Sequence, residues 1–420
     1  MKPQETRAGW QYWNVADLIA AGTLQVGDGY RAKNSELWGD GLPFARAGNI
    51  NGGFHFEDAD ILNEESVRLA GEKVSQPGDV TFTSKGTFGR FAFVDESTPR
   101  FVYSPQLCYW RVVREGTIDR RFLYYWMQGT DCMNQLNEVK GLTDMADYVS
   151  LSNQRRMWLS APDLAVQRRI ADVLSAYDEL IDNNQRRIQI LESMARALYR
   201  EWFVNFRFPG HEKVRRVPSE LGEIPEGWRC ATIGECASYI NRGLSPNYLE
   251  TGGSLVINQK CIRDQRLSLD PARRQSKPIP DEKRVRFGDV LVNSTGVGTL
   301  GRVAQVYQNV ENCTVDSHVT IVRPGETVDA DFFGCALMAR QDEFERLGIG
   351  ATNQTELGRS AIAGLSFALP GSRLQQQFGS LVRPMRAAVQ VDLAKIENLR
   401  RTRDLLLPRL LSGQIEVDTN

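Results

Sequence analysis

Gly296-Val297-Gly298-Thr299-Leu300-Gly301 has the G-x-G-x-x-G spacing that cradles a dinucleotide pyrophosphate, and it follows a strand-like run. In a dinucleotide site the last glycine opens a helix, with an acidic residue about 20 positions on. Here it leads into Arg302-Val303-Ala304-Gln305-Val306-Tyr307, which alternates like a strand, so the spacing predicts a hairpin loop. His55, His211 and His318 are the chain's histidines, and none has metal-ligand or triad spacing. G-x-S-x-G, P-loop and H-E-x-x-H motifs are absent, as is any Pro-Pro of the kind a base-flipping adenine methyltransferase needs. Catalytic residues and metal ligands are therefore both expected to be none, and the chain is read as non-catalytic by itself.

What the loops do offer is donors on turns. The first half has Thr83, Ser84, Lys85, Thr87 and Arg90, and the second has Asn293, Ser294, Thr295, Thr299 and Arg302. Arg46 with Asn49, and Asn258 with Gln259 and Lys260, end another strand in the same way. Hydroxyls, amides and cations beside glycines can approach phosphates and reach base edges, so these fifteen residues are the candidate DNA contacts. They equally suit ordinary solvated loops.

The element that must position them runs from about Val166 to Phe203. Ile170, Tyr177, Asn184, Leu191 and Leu198 fall at one seam position of a heptad, and Leu174, Ile181, Ile188, Ala195 and Trp202 at the other. A helix of that extent is roughly 50 Å long. The same frame returns 208 residues later, with Phe378, Met385, Asp392, Leu399 and Leu406 at the first position and Val382, Val389, Ile396 and Leu410 at the second. The polar interruption recurs too, since Asn184 maps onto Asp392, and a polar seam residue fixes register. The shared frame predicts that the two helices pair. Pro384 is expected to kink the second helix or mark its start, and Arg403 occupies the seam position that Ala195 holds in the first half.

The globular parts repeat as well. Gly227-Trp228 echoes Gly9-Trp10, Gly288-Asp289-Val290 echoes Gly78-Asp79-Val80, and Pro370 with Gln375 echoes Pro162 with Gln167. A strand is expected over 44–50, a hairpin from 78–83 and 90–94, strands at 101–103 and 107–113, and a helix over 118–137. Pro209-Gly210, Pro218 and Pro225 mark a boundary between the halves.

With 420 residues, 41% hydrophobic and 25% charged, the chain reads as an ordinary globular protein of two or three domains. No apolar run approaches the ~18 residues of a membrane span, and the N-terminus lacks a signal-peptide core. Seven cysteines without a Cys-x-x-Cys pair point to reduced thiols and a cytoplasmic location. The net charge of -1 argues against binding nucleic acid through overall charge. Lysine supplies 10 of the 51 basic residues, so arginine dominates; its fork suits phosphate and guanine, though a GC-rich genome gives the same bias.

Two divergent halves, each closed by a long helix after a Pro-x-x-x-x-Gln start, resemble the specificity (S) subunit of type I restriction-modification systems. The resemblance rests on Pro162 to Asp182, on Trp202-Phe203-Val204-Asn205-Phe206, on Gly222 to Trp228 and on the tail Leu406 to Ile415. It implies an α+β chain of two mixed α/β target recognition domains, separated by two long helices that form an antiparallel coiled coil in a pseudo-twofold repeat. The divisions expected are 1–160 and 209–368 for the recognition domains, and 161–208 and 369–420 for the helices. It further implies that each domain reads half of a split sequence in double-stranded DNA, with helix length setting the half-site separation. Two modification subunits would bring S-adenosylmethionine, and restriction subunits would bring ATP- and Mg-dependent translocation and cleavage; this chain would bind no cofactor. The other readings are a coiled-coil adaptor without DNA specificity, and a fused enzyme stripped of its catalytic segment, which is disfavoured because both ends read as complete.

Overall fold

A computed structural model describes residues 7, 9–85, 89–138, 149–350 and 355–418, and these divide into two compact units. The first unit takes residues 1–182 with 397–420, and the second takes 183–396. The division therefore cuts both long helices rather than following the linkers.

In the first unit, β1 (Leu24–Asp28), β2 (Leu42–Ala45), β3 (Val80–Thr83), β4 (Phe91–Phe93), β5 (Val102–Tyr103) and β6 (Leu107–Val112) make two small sheets. The larger has the order β1-β6-β3-β4, antiparallel throughout, while β2 pairs with β5 in parallel. Helix α1 (Arg120–Gln128) covers the sheet, and Gln11–Asn14 pairs with Trp158–Ala161 to close the unit. α2 (Leu164–Tyr199) then begins and ends in a π-turn at Arg200–Val204.

The second unit repeats this plan. Its strands are β7 (Ala237–Arg242), β8 (Ser254–Ile257), β9 (Val290–Asn293), β10 (Val303–Gln305), β11 (Cys313–Val315) and β12 (Val319–Pro324). The order β7-β12-β9-β10 matches the first sheet strand for strand, and β8 pairs with β11 in parallel as β2 does with β5. Arg229–Thr232 pairs with Ser366–Leu369, α3 (Ala330–Met338) stands where α1 stood, and α4 (Ser372–Leu411) follows. The duplication inferred from sequence is thus a duplication of topology.

Two devices recur. Asp79 follows a left-handed Gly78 (φ 93°) and is held by Arg111, whose Nε and Nη2 donate to its two oxygens at 2.6 and 2.8 Å. Asp289 follows Gly288 (φ 88°) and takes Nε and Nη2 of Arg323 at 2.8 and 2.9 Å. Each arginine spends its other donors on the carbonyls of the segment before the hairpin: Glu72 and Val74 in one unit, Glu282 and Arg284 in the other. Burial holds the Asp289 carboxyl above its usual range even against Arg323.

The Pro-x-x-x-x-Gln start has a physical role. Gln167 is buried; its amide donates to the carbonyls of Pro162 and Thr117, and its oxygen accepts from the N–H of Asp119, the residue whose carboxylate caps α1. Gln375 does the same with Pro370 and the Asp329 N–H. One side chain thus ties the first turn of each long helix to the helix lying on its sheet. Gln167→Ala and Gln375→Ala are each expected to cost about 1–3 kcal/mol, since buried backbone groups lose their partners, as urea unfolding would read.

Along the seam, Leu174, Ile181, Ile188, Ala195 and Trp202 are buried, as are Val382, Val389, Ile396 and Leu410. Ile170 and Phe378 are buried at the other position, whereas Tyr177, Asn184, Leu191, Leu198, Met385, Leu399 and Leu406 are half-buried, as flanking residues of a two-helix seam are. In the first unit the end of α4 (Leu410, Leu411) shares a core with the start of α2 (Ile170). In the second the end of α2 (Tyr199, Trp202, Phe203) shares one with the start of α4 (Phe378), with the Phe203 and Phe378 rings 5.0 Å apart. The helices therefore run antiparallel. Asp392 is buried on the seam and lies 3.3 Å from the Arg187 guanidinium and 3.5 Å from Lys395.

Pro384 lies inside Ser372–Leu411 and does not mark the helix start, with buried Phe378 and Val382 before it and Val389 after it on the seam. Two expectations are corrected. The helix expected over 118–137 is two, Arg120–Gln128 and Thr130–Glu138, broken at Gly129. The strand expected over 44–50 ends at Ala45 and becomes a 3₁₀ turn at Ala47–Asn49.

Candidate nucleic-acid interface

In each unit three loops meet at one edge of the sheet. The first is the 3₁₀ turn after the parallel strand, Ala47–Asn49 or Gln259–Cys261. The second is the hairpin loop between β3 and β4 or β9 and β10. The third precedes the last strand of the sheet and presents Gln106 in one unit and His318 in the other. Ser84 N–H donates to the Gln106 carbonyl at 2.9 Å, and Ser294 N–H to the His318 carbonyl at 2.8 Å, so the edges are built alike.

In the first unit Arg90 Nη1 reaches the carbonyls of Ala47 and Ile50, both at 3.3 Å, and the Gln106 side-chain oxygen accepts from Ala47 N–H at 3.0 Å. Arg46 pairs with Asp60 at 2.5 Å and stays 42% exposed. Asn49 uses its oxygen on Arg46 N–H and its amide on the His55 carbonyl, which fixes the turn and leaves Gly48 and His55 at the surface. Lys85 is half-buried at the loop's start, and Thr87 lies outside the described residues.

In the second unit Gln259 Nε2 donates to both the carbonyl and the hydroxyl of Thr295, at 2.5 and 2.7 Å, and Asn293 Nδ2 donates to the Gln259 carbonyl at 3.1 Å. Thr295 Oγ1 also lies 2.7 Å from His318 Nδ1. Arg302 donates to the Gly298 carbonyl at 2.7 Å and Thr299 to the Thr295 carbonyl at 3.4 Å, so the loop is self-supporting. Asn258 caps its turn through Lys260 N–H and donates to the Pro271 carbonyl, and the Lys260 side chain is exposed. The glycines of the G-x-G-x-x-G run have φ values of 103°, 70° and 80°. A Cβ on Gly301 would stand 2.6 Å from Glu345 N. These glycines serve a left-handed turn packed on a helix, not a pyrophosphate.

The expected contacts therefore sort into two groups. Arg46, Lys85, Arg90, Gln259, Lys260, Thr295, Thr299 and Arg302 lie at or beside the surface, with Asn49 and Asn258 supporting their turns. Thr83, Ser84, Asn293 and Ser294 are corrected: they are buried. The Thr83 hydroxyl accepts from Arg90 N–H, Ser84 donates to the Gln106 carbonyl, and the Ser294 and Thr320 hydroxyls bond at 2.6 Å. They hold the loops from beneath, where the third loop covers them. Gln106, His318 and His55 were missed, since single polar residues in short turns give no periodic signal.

The described residues include no cluster of His, Cys, Asp or Glu able to hold a metal ion, and no helix long and apolar enough to cross a membrane. The seven cysteines are free, and burial pushes the Cys108, Cys132 and Cys335 thiols up.

The type I restriction modification DNA specificity domain matches residues 8–193 of this chain. The MjaIX type I restriction enzyme specificity subunit of Methanocaldococcus jannaschii is 22% identical over 422 residues, covering 97% of this chain and 94% of that protein. The HindI specificity subunit of Haemophilus influenzae is 24% identical over 434 residues, covering 86% of this chain and 91% of its own. Among solved structures, a type I restriction-modification S subunit from M. genitalium superposes with a TM-score of 0.61 at 15% identity, covering 97% of both chains. Relatives matched along nearly the whole chain, and the same fold in that solved subunit, agree with the duplicated architecture: residues 8–193 match a type I restriction modification DNA specificity domain, and the chain is similar along its length to type I specificity subunits.

Proposed function

We propose that this chain supplies DNA sequence specificity to a type I restriction-modification complex, each unit reading one half of a bipartite target. The observation that carries this reading is the three-loop edge built twice on the same topology, with Arg46 and Arg90 in one copy and Lys260 and Arg302 in the other. Backbone turns braced from beneath hold such side chains in fixed register, which base reading requires. The paired helices act as the spacer, so the base pairs between half-sites go unread. The chain itself is non-catalytic. Two modification subunits carry S-adenosylmethionine and adenine methylation, restriction subunits carry ATP- and Mg-dependent translocation and cleavage, and the assembly works in the cytoplasm. A net charge of -1 suits a chain whose partners share in enclosing the DNA.

The test is single-molecule sequencing of methylated adenines in host DNA with and without this gene. Loss of one bipartite motif with an unread gap supports the reading. An unchanged map in cells expressing the partners would favour the adaptor. A sharper expectation concerns the second edge. Lys260→Ala and Arg302→Ala should each weaken binding of the assembled complex about tenfold and lower the salt slope by about one, with one half-site affected. Titrations at several salt concentrations on targets altered in either half would read this.

A further inference from the structure

The repeat breaks its symmetry at one place on the helix pair. In the first unit the Asp178 carboxylate on α2 accepts from the Tyr125 hydroxyl of α1 at 2.6 Å and from Arg403 of α4 at 2.5 Å. Three large side chains fill that space and their charges cancel. The repeat places Arg386 where Asp178 stands, Cys335 where Tyr125 stands and Ala195 where Arg403 stands. Two large side chains have become small, and the charge of the third has inverted.

The second unit has a cavity of about 80 Å³ at this place, lined by Ala195, Cys335 and Arg386 with Leu267, Tyr307 and Met385. Arg386 is buried; its Nη1 donates to Gln305 Oε1 at 2.6 Å, its Nη2 to Cys335 Sγ at 2.8 Å, and its guanidinium lies 4.1 Å over the Tyr307 ring. These partners are neutral. Its ion-pair partner Asp331 is 3.4 Å away and is held more closely, at 2.9 Å, by Arg383. Glu192, also on the cavity wall, accepts from Nε and Nη2 of Arg266, each at 2.6 Å. Burial accordingly draws the Arg386 pKa down to about 9. The facing helix offers a methyl group where the first unit offers a counter-charge.

We propose that this cavity is an anion site, taking a carboxylate carried on an apolar body and bound through Arg386. The inference goes beyond DNA reading and stands independently of it. The apolar walls suit the body of such a ligand, and a buried guanidinium gives a charge-assisted hydrogen bond its full strength. The carboxylate belongs either to a small molecule or to a side chain of a protein bound against the helices.

The experiment is thermal unfolding of the full chain and of its Ala195→Asp and Arg386→Met variants, each with hexanoate or inorganic phosphate. Ala195→Asp places a carboxylate opposite Arg386 and is expected to raise Tm by about 2–4 °C. Hexanoate should raise the Tm of the unmodified chain saturably and more than phosphate does, and the shift should vanish in both variants. That outcome assigns the site to a small carboxylate. If neither probe shifts Tm but Ala195→Asp stabilises the chain and weakens its binding to the modification subunit, the carboxylate is protein-borne. A hexanoate shift that survives Arg386→Met overturns the proposal, and so does no shift together with an Ala195→Asp variant no more stable than the unmodified chain.

Discussion

Replacing Asp79 or Asp289 with alanine is expected to cost about 3–5 kcal/mol and to unfold the unit that carries the change before the other. Both carboxylates are almost fully buried, and each takes two donors of one buried arginine. Removing the carboxylate leaves Arg111 or Arg323 as a buried cation without its counter-ion, which costs far more than the pair itself contributes. The same arginines tie the preceding segment to the sheet, so the hairpin and its loop should lose their footing together. Urea unfolding followed by hydrogen exchange would check this: protection should fall first in β3, β4 and β6 for Asp79→Ala, and in β9, β10 and β12 for Asp289→Ala. A change below about 1 kcal/mol, the ordinary size of a surface ion pair, would show that the clasp is dispensable.

The double change Ile181→Asp, Ile188→Asp should abolish pairing of the helices and assembly with the modification subunits. Ile181 is 5% exposed and Ile188 1%. Each substitution gives up about 1.5–3 kcal/mol of apolar burial and places a carboxylate on the seam. Ile181 lies in the first unit and Ile188 in the second, both near the middle of α2, so the seam is struck in both units at once. Far-ultraviolet circular dichroism and co-purification with the partners would read the result. Intact partner binding would sink the spacer reading.

Arg403 shows how the seam exceeds a heptad count. The spacing marks it only as a misfit where Ala195 stands in the first half, and the structure makes it a partner of Asp178 on the other helix. Asp392 was legible as the polar seam residue, but the cations beside it, Arg187 and Lys395, were not.

The amino-acid sequence by itself determined the duplication, the two long helices and their common seam, the hairpins, and the Pro-x-x-x-x-Gln start. All of these rest on periodicity or on matches at a constant offset, which need no knowledge of distant neighbours. Tertiary structure alone decided which loop residues face outward. Thr83, Ser84, Asn293 and Ser294 look like surface donors beside glycines, yet a loop more than 20 residues on covers them, bringing Gln106 and His318 to the edge instead. Burial of a loop residue depends on what folds over it, and local pattern carries no record of that. The same holds for the Arg386 cavity. It exists because side chains from three elements shrank or changed sign together, and they become neighbours only when the chain folds.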